Sequence, residues 1–431
     1  MDLKPTKPLS GFIELLPAQQ RCFDECARRM QDVLKIAGYS RLDLPAIERA
    51  EVLTDKDNWD EIETQIFLFQ KGDTKMGLRY DGTVGLSRYV AGHLNDLTFP
   101  FYTYQFARNY RGERPQRGRY REFWQLDIDI LGVQTLSLNY DAEIVSTLMR
   151  VYEAVADIVG KVKVKIGNRR FWNAMFAYLG LNETQARDAF VLIDKRDKMS
   201  DFMDGLIEAV GKGAANEIEA VFTDGYRSFV GKSVELDAAI AEMDKFMTLL
   251  GAMGVKNAEI DVSIMRGHSY YTGIVFEFFS IDYPDLPAVG GGGRYENLVS
   301  KFSKTKIVGV GASIGVSRLL VALMEMGKID LSKFESATDV AVLVMGDDNL
   351  PYAMSALNTL RDEKIASVAY LDTDKKFKSQ IEYSDKIMAK YSMIIGEDEV
   401  KNKVVTVKDM KTGNQQTLSL VDAIKLVQES A

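Results

Sequence analysis

The sequence predicts a large α+β domain interrupted by a helical insertion, with a smaller α/β domain behind it. Three observations predict this. The 431 residues exceed what one hydrophobic core usually serves. Strand-like stretches recur up to residue 166 and again from 258, whereas the pattern between about 170 and 253 is almost wholly helical. After a polar interruption at 331–338 strands and helices alternate, as in a sheet with helices packed on it. The expected boundaries are therefore residues 1–330, with the insertion at about 170–253, and residues 331–431.

The first domain opens on a helix. Between residues 18 and 37, Phe23, Ala27, Met30, Leu34 and Ala37 recur at helical spacing, and Gly38 supplies a stop. Residues 40–44 alternate polar and apolar side chains before Pro45, whose missing N–H suits a strand end or a sheet edge. A polar loop over 51–63 leads to a strand at 65–70. In GLRYDGT (77–83), Asp81 and Thr83 stand two apart, a spacing at which a strand turns both side chains to one face. A carboxylate and a hydroxyl so placed can hold an ammonium group, although Asp and Gly also have ordinary turn roles. Helical spacing resumes over 85–94, and aromatics alternate over 99–107.

Residues 104–132, YQFARNYRGERPQRGRYREFWQLDIDILG, form an arginine hairpin. Two strand-like arms flank a loop in which Arg111, Arg114, Arg117, Arg119 and Arg121 are interleaved with Gly112, Pro115 and Gly118. This positive charge sits in a chain of net charge -8, which suits the loop to phosphates. In the second arm Phe123, Gln125, Asp127 and Asp129 alternate, so a strand turns an aromatic, an amide and two carboxylates to one face.

Asp141 is placed to cap a helix reaching about residue 159, and KVKVKI (161–166) alternates as a half-exposed strand. Beyond the insertion, 261–280 reads as two strands around a glycine-rich turn. The four glycines 290–293 are costly to order, so the backbone there approaches another strand or a ligand closely. IVGVGASIG (307–315) then leads to a helix bearing Arg318. In the second domain strands are expected at 340–344, 366–371, 393–395 and 403–407, and helices at 351–363 and 379–391. Lys375, Lys376 and Lys378 form a basic loop suited equally to phosphates and to solvent.

Composition excludes several classes. With only Cys22, Cys26, His93 and His268, neither a Cys/His zinc site nor a disulfide framework is expected. No apolar run approaches the roughly 20 residues that span a bilayer, and the start, MDLKPTKPLS, has no signal-like core, which predicts a cytoplasmic protein. Overall acidity argues against indiscriminate nucleic-acid binding but permits a partner on the local basic surface.

In order along the chain, five of these stretches resemble motifs of the class II aminoacyl-tRNA synthetases and, within that class, of the histidyl-tRNA synthetase family. Residues 39–48, YSRLDLPAIE, resemble the dimer-forming first motif with its proline. The hairpin, with Arg111, Glu113, Phe123 and Asp127, resembles the second, and GVGASIGVSRL (309–319), with Arg318, the third. RYDGT (79–83) and RGHSYYTGIVFE (266–277) resemble stretches particular to the histidine enzymes. The resemblance covers nearly the whole chain. It implies a catalytic domain with an antiparallel sheet flanked by helices, a helical insertion that clamps the acceptor stem, and a C-terminal α/β anticodon-binding domain.

The resemblance also implies a reaction: histidine and ATP form histidyl-adenylate with release of pyrophosphate, and histidine then passes to the 3′ end of tRNA(His). Arg111 and Arg266 would be catalytic, bridging the α-phosphate and the amino-acid carboxylate. Arg318 would hold the γ-phosphate with help from Arg119, while Phe123 stacks under adenine and Glu113 reads its edge. Asp81, Thr83 and Gln125 would hold the ammonium of histidine, and Asp129 and Tyr271, with Tyr270 alongside, would address its imidazole nitrogens. Arg114, Gln116 and Arg117 at the hairpin tip would meet the acceptor end of the tRNA. A homodimer is implied too, and the chemistry calls for Mg²⁺ bridging the phosphates, for which the sequence names no protein ligand. Elementary chemistry agrees: arginines grip oxyanions in a fork and neutralise charge where two anions must meet, and buried paired polar groups reject isosteres without an editing domain.

This chain departs from the common pattern in places. Many members read RGLDYYTG where it has RGHSYYTG, so His268 and Ser269 replace an apolar residue and an acid. His268 reads as a structural or surface histidine rather than a base. SGFIELLP (10–17) also replaces the usual N-terminal pattern. The alternative is a non-catalytic, synthetase-like regulatory subunit of ATP phosphoribosyltransferase in histidine biosynthesis. That paralogue typically lacks the C-terminal domain and parts of the ATP or histidine signature, whereas Arg111, Gln125, Arg266 and Arg318 are all present here.

Overall fold

A computed structural model describes residues 4–54, 63–196, 199–265, 271–296 and 299–429. Its contacts divide the chain into two units, Met1–Glu14 with Glu25–Ile329, and Leu15–Asp24 with Asp330–Ala431. No helix among the described residues is long and apolar enough to cross a membrane.

Strands of the first unit are β1 (Ser40–Arg41), β2 (Ile47–Arg49), β3 (Leu68–Lys71), β4 (Thr74–Leu78), β5 (Phe101–Tyr110), β6 (Glu122–Val133), β7 (Val162–Asn168), β8 (Ala258–Ile260), β9 (Tyr271–Ser280), β10 (Gly290–Tyr295) and β11 (Ile307–Ile314). Eight of them form one sheet in the order β1-β5-β6-β11-β10-β9-β7-β8. Its six inner strands pair antiparallel, and β1 and β8 join the edges in parallel. β2, β4 and β3 make a separate small sheet.

The central strand β6 carries two patterns at once. Leu126, Ile128 and Ile130 are fully buried on one face, where the helices Asn139–Glu153 and Val316–Glu325 pack. The alternate residues Phe123, Gln125, Asp127 and Asp129 take the other face, as period-two side-chain alternation requires. Glycines make that second face habitable. In β11, a Cβ at Gly311 would overlap the Asp129 carboxylate and one at Gly309 would overlap the Tyr295 ring. In β10, a Cβ at Gly292 would meet the carbonyl of Gly311, which accounts for the run of glycines as close strand approach.

Several local expectations change. Asp141 caps nothing: it is buried at the start of the helix Asn139–Glu153 and accepts from the guanidinium of Arg294, which also donates to Leu136 and Ser137 carbonyls. The helix expected to reach residue 159 breaks after Glu153 and resumes over Ala156–Val159. Only one strand, β9, forms within the described part of 261–280, because the Asp261 carboxylate accepts from the amide and hydroxyl of Ser263 and turns the chain. Of the loop expected over 51–63, residues 51–53 belong to the helical turn Ala50–Leu53, and 55–62 lie outside the described residues. The insertion forms five helices among the described residues, from Arg169–Tyr178 to Val234–Ala252.

In the second unit β12 (Val340–Val344), β13 (Ser367–Tyr370), β14 (Tyr391–Ile395), β15 (Val405–Asp409) and β16 (Gln415–Leu418) form a mixed sheet, ordered β13-β12-β14-β15-β16. β12 lies parallel to β13 and β14, and all five of its residues are buried, as a strand covered on both faces must be. The helix Glu397–Asn402, the polar edge strand β16 and the helix Leu420–Glu429 add to the expected elements. Residues 415–418 read QQTL, with none of the apolar alternation that marks a half-buried strand.

Candidate active site

Two adjoining cavities open on the polar face of the large sheet. The inner one, about 160 Å³, is walled by the carboxylates of Asp81, Asp127 and Asp129 together with Thr83, Gln125 and Tyr271. The outer one, about 190 Å³, is walled by Arg111, Arg119, Arg318, Glu113 and Phe123. Arg111, Gln125, Glu277, Gly291 and Ser313 line both. The cleft is thus acidic at its inner end and basic at its outer end, with Arg111 at the junction.

Asp81 and Thr83 reach the inner cavity by a route other than strand alternation. β4 ends at Leu78, the helix Thr83–Gly92 begins five residues later, and Asp81 Oδ1 accepts from the amide of Val84 at 3.1 Å. The turn role and the site role of Asp81 therefore coexist. Gly82 packs directly against the Asp127 carboxylate, where a larger residue would collide.

Asp129 Oδ1 accepts from the Tyr295 hydroxyl at 2.8 Å. Burial pushes its pKa up to about 7, against the opposing pull of that hydrogen bond, and Asp81 adds to the rise. Asp127 is raised well above the ordinary carboxyl range by burial and then by the neighbouring Asp129 and Asp81, with Arg79 and Arg111 opposing. Its Oδ1 accepts from the Ser313 hydroxyl, whereas its Oδ2 has no hydrogen-bond partner among the described residues.

In the outer cavity Arg111 donates to the Tyr80 carbonyl at 3.1 Å and lies 5.2 Å from the centre of the Phe123 ring. Glu113 stands 3.9 Å from both Arg111 and Arg119. Arg318 is anchored by the carbonyls of Gly118 at 2.9 Å and Ala288 at 3.0 Å. Burial lowers the Arg318 pKa, and repulsion from Arg111 and Arg119 lowers it further, although a guanidinium stays charged at any physiological pH. Three mutually repelling guanidiniums around one cavity form an anion site.

The structure thus brings together Asp81, Thr83, Gln125, Asp129 and Tyr271 in one cavity and Glu113, Arg119, Phe123 and Arg318 in the next, with Arg111 common to both. Arg266, His268, Ser269 and Tyr270 lie outside the described residues. Arg114, Gln116 and Arg117 are exposed on the hairpin turn, where Gln116 and Arg119 exchange backbone hydrogen bonds. Sequence reasoning passed over Tyr295, Ser313, Glu277 and Asn109. Tyr295 directly follows the glycine-rich run and Arg294, yet nothing along the chain links it to Asp129, 166 positions away.

The segment 11–319 matches the family model for histidyl-tRNA synthetase, and 339–430 matches that of an anticodon binding domain. The chain belongs to the histidyl-tRNA synthetase family. Two relatives named histidine–tRNA ligase, from Clostridium tetani and Finegoldia magna, are each 36% identical to it, covering 100% and 97% of this chain and 99% and 98% of their own. A crystal structure of histidyl-tRNA synthetase from a Nostoc species superposes with a TM-score of 0.87 at 28% identity over the whole of both chains. A Bacillus halodurans protein described as an ATP phosphoribosyltransferase regulatory subunit/histidyl-tRNA synthetase shares the fold, with a TM-score of 0.71 at 20% identity over 86% of this chain and 96% of its own. The antiparallel sheet with flanking helices and the separate C-terminal sheet are those expected of the family.

Proposed function

We infer that the chain is a histidine–tRNA ligase, a class II aminoacyl-tRNA synthetase. The observation that carries this reading is the junction at Arg111, where an acidic cavity of amino-acid size meets an arginine-lined cavity fit for phosphates. Histidine enters with its ammonium toward Asp81, Thr83 and Gln125 and its imidazole toward Asp129, Tyr271 and Tyr270. ATP lies in the outer cavity, with adenine on Phe123 beside Glu113 and the phosphates against Arg119 and Arg318. A carboxylate oxygen of histidine attacks the α-phosphorus, the bond to pyrophosphate breaks, and Arg111 with Arg266 neutralises the charge that gathers there. The terminal ribose hydroxyl of tRNA(His) then attacks the activated carbonyl and releases AMP.

No group of three or more His, Cys, Asp or Glu side chains among the described residues could hold a metal. Mg²⁺ needs only one or two carboxylates besides substrate phosphates, and Glu277, which lines both cavities, would be the protein carboxylate to hold it. The metal would supply charge neutralisation on the phosphates. Arg114, Gln116 and Arg117 at the hairpin tip contact the acceptor end, residues 1–330 serve catalysis, and residues 331–431 take the anticodon. The enzyme works in the cytoplasm as a homodimer through the segment 39–48.

The regulatory-subunit reading is less supported, because the anticodon-binding match and the arginines of the outer cavity are both present. Histidine-dependent exchange of pyrophosphate into ATP tests the enzyme reading. Exchange at saturating histidine and Mg²⁺ is the expected result, and its absence overturns it.

A further inference from the structure

Around Gln125 a hydrogen-bonded chain runs across three strands. Asn109 Nδ2 on β5 donates to Gln125 Oε1 on β6 at 2.5 Å, and Gln125 Nε2 donates to Ser313 Oγ on β11 at 3.1 Å. The Ser313 hydroxyl in turn donates to Asp127 Oδ1, one register pair from β6 to β11. Asn109 is fully buried and Asp127 nearly so, whereas Gln125 and Ser313 face both cavities.

The chemistry of the four groups gives this chain one direction. A hydroxyl carries a single proton, and Ser313 spends it on Asp127. Its oxygen can then only accept from Gln125, so the amide must turn Nε2 toward Ser313 and Oε1 toward Asn109. This direction holds while Asp127 Oδ1 is an acceptor, with the carboxyl ionised or its proton on Oδ2. An amide oxygen has two lone pairs, and Asn109 occupies one of them. The other remains for a donor in the inner cavity. A flipped amide would instead present N–H groups to the same spot and repel a cation.

We propose that Asn109 and Ser313 are positioning residues for ammonium recognition: with Asp127 they lock the Gln125 amide so that its oxygen faces the substrate's α-ammonium. This deepens the reading of the inner cavity as the histidine site and rests on it. Asn109 is invisible to that reading, since it lines neither cavity.

The test is steady-state pyrophosphate exchange with Asn109→Leu, Ser313→Ala and the hydroxyl-keeping Ser313→Thr, joined by inhibition with 3-(imidazol-4-yl)propionate, which is histidine without its amino group. Asn109→Leu and Ser313→Ala should each raise the KM for histidine about tenfold, from loss of a locked hydrogen bond to a charged group. The KM for ATP and the inhibition constant of the des-amino analogue should stay within twofold of the parent, and Ser313→Thr should restore the histidine KM. A parallel rise in the analogue's inhibition constant, a matching rise in the KM for ATP, or an unchanged histidine KM overturns the proposal. If the parent protein itself shows no histidine-dependent exchange, the ligase reading fails instead, and direct binding of histidine against the analogue, by calorimetry on the same variants, decides this proposal by the same twofold and tenfold criteria.

Discussion

Tyr295 on β10 donates its hydroxyl to the buried Asp129 carboxylate on β6 across the intervening strand β11, at 2.8 Å. The contact is possible because β11 carries glycine at 309 and 311, leaving room for the tyrosine ring on one and the carboxylate on the other. It opposes the effect of burial on Asp129 and so favours negative charge on the floor of the proposed amino-acid cavity.

Asp129 therefore gives the enzyme a titration near neutrality. Its pKa is raised from 3.8 to about 7 by burial. Between those values the folded chain holds a proton that the unfolded chain has lost, so the group favours folding most at low pH and that contribution fades as pH rises toward 7. Ligand binding should run the other way, because in the proposed histidine site an ionised Asp129 accepts an imidazole N–H. The kcat/KM for histidine should climb with pH to a plateau above about 7. Tyr295→Phe removes the opposing hydrogen bond and should move that limb to higher pH, and Asp129→Asn should abolish it, leaving the substrate's own titration. A pH profile of exchange unchanged in Tyr295→Phe would contradict this.

Arg318 should serve ATP and not histidine, since it lines only the outer cavity. Arg318→Ala removes a cation held by the carbonyls of Gly118 and Ala288, and should raise the KM for ATP by about ten- to a hundredfold, the range of one or two charge-assisted hydrogen bonds. The KM for histidine, measured in the same exchange assay at saturating ATP, should change less than threefold.

Arg266 carries the heaviest sequence-based assignment. Arg266→Ala should abolish pyrophosphate exchange while thermal unfolding stays within a few degrees of the parent. Near-normal exchange would show that the second cation at the reacting phosphate comes from elsewhere.

Arg294 and Asp141 form a buried ion pair, with Arg294 only 3% exposed and Asp141 fully buried. Arg294→Met strands a buried carboxylate and should cost about 3–5 kcal/mol by urea unfolding. The double variant Arg294→Met/Asp141→Leu should recover much of that loss, because no lone charge is then left inside.

In the second unit the Gln380 side chain donates to the Val344 carbonyl at 2.7 Å and accepts from its amide at 2.9 Å, completing the edge of β12 beyond the end of β13. Gln380→Leu leaves both backbone groups buried and unpaired. The expected loss is about 2–5 kcal/mol, with hydrogen exchange accelerated at the Val344 amide.

By itself the sequence determined the local grammar and much of the site. The alternation along residues 123–129 already placed Phe123, Gln125 and Asp129 on one face, because side-chain alternation in a strand needs no partner to be read. Motifs separated by more than two hundred residues, such as those of Arg111 and Arg318, could be assigned to one site by resemblance. Only tertiary structure decided which neighbours those residues have. Asp141 looked like a helix cap and became the partner of Arg294, 153 positions away. Asp81 and Thr83 share a cavity through a turn entering a helix, and Asn109, Ser313 and Tyr295 gained their roles from strand register. The physical reason is that register brings distant residues to hydrogen-bonding distance, and a buried polar group must then find a partner among whatever register supplies.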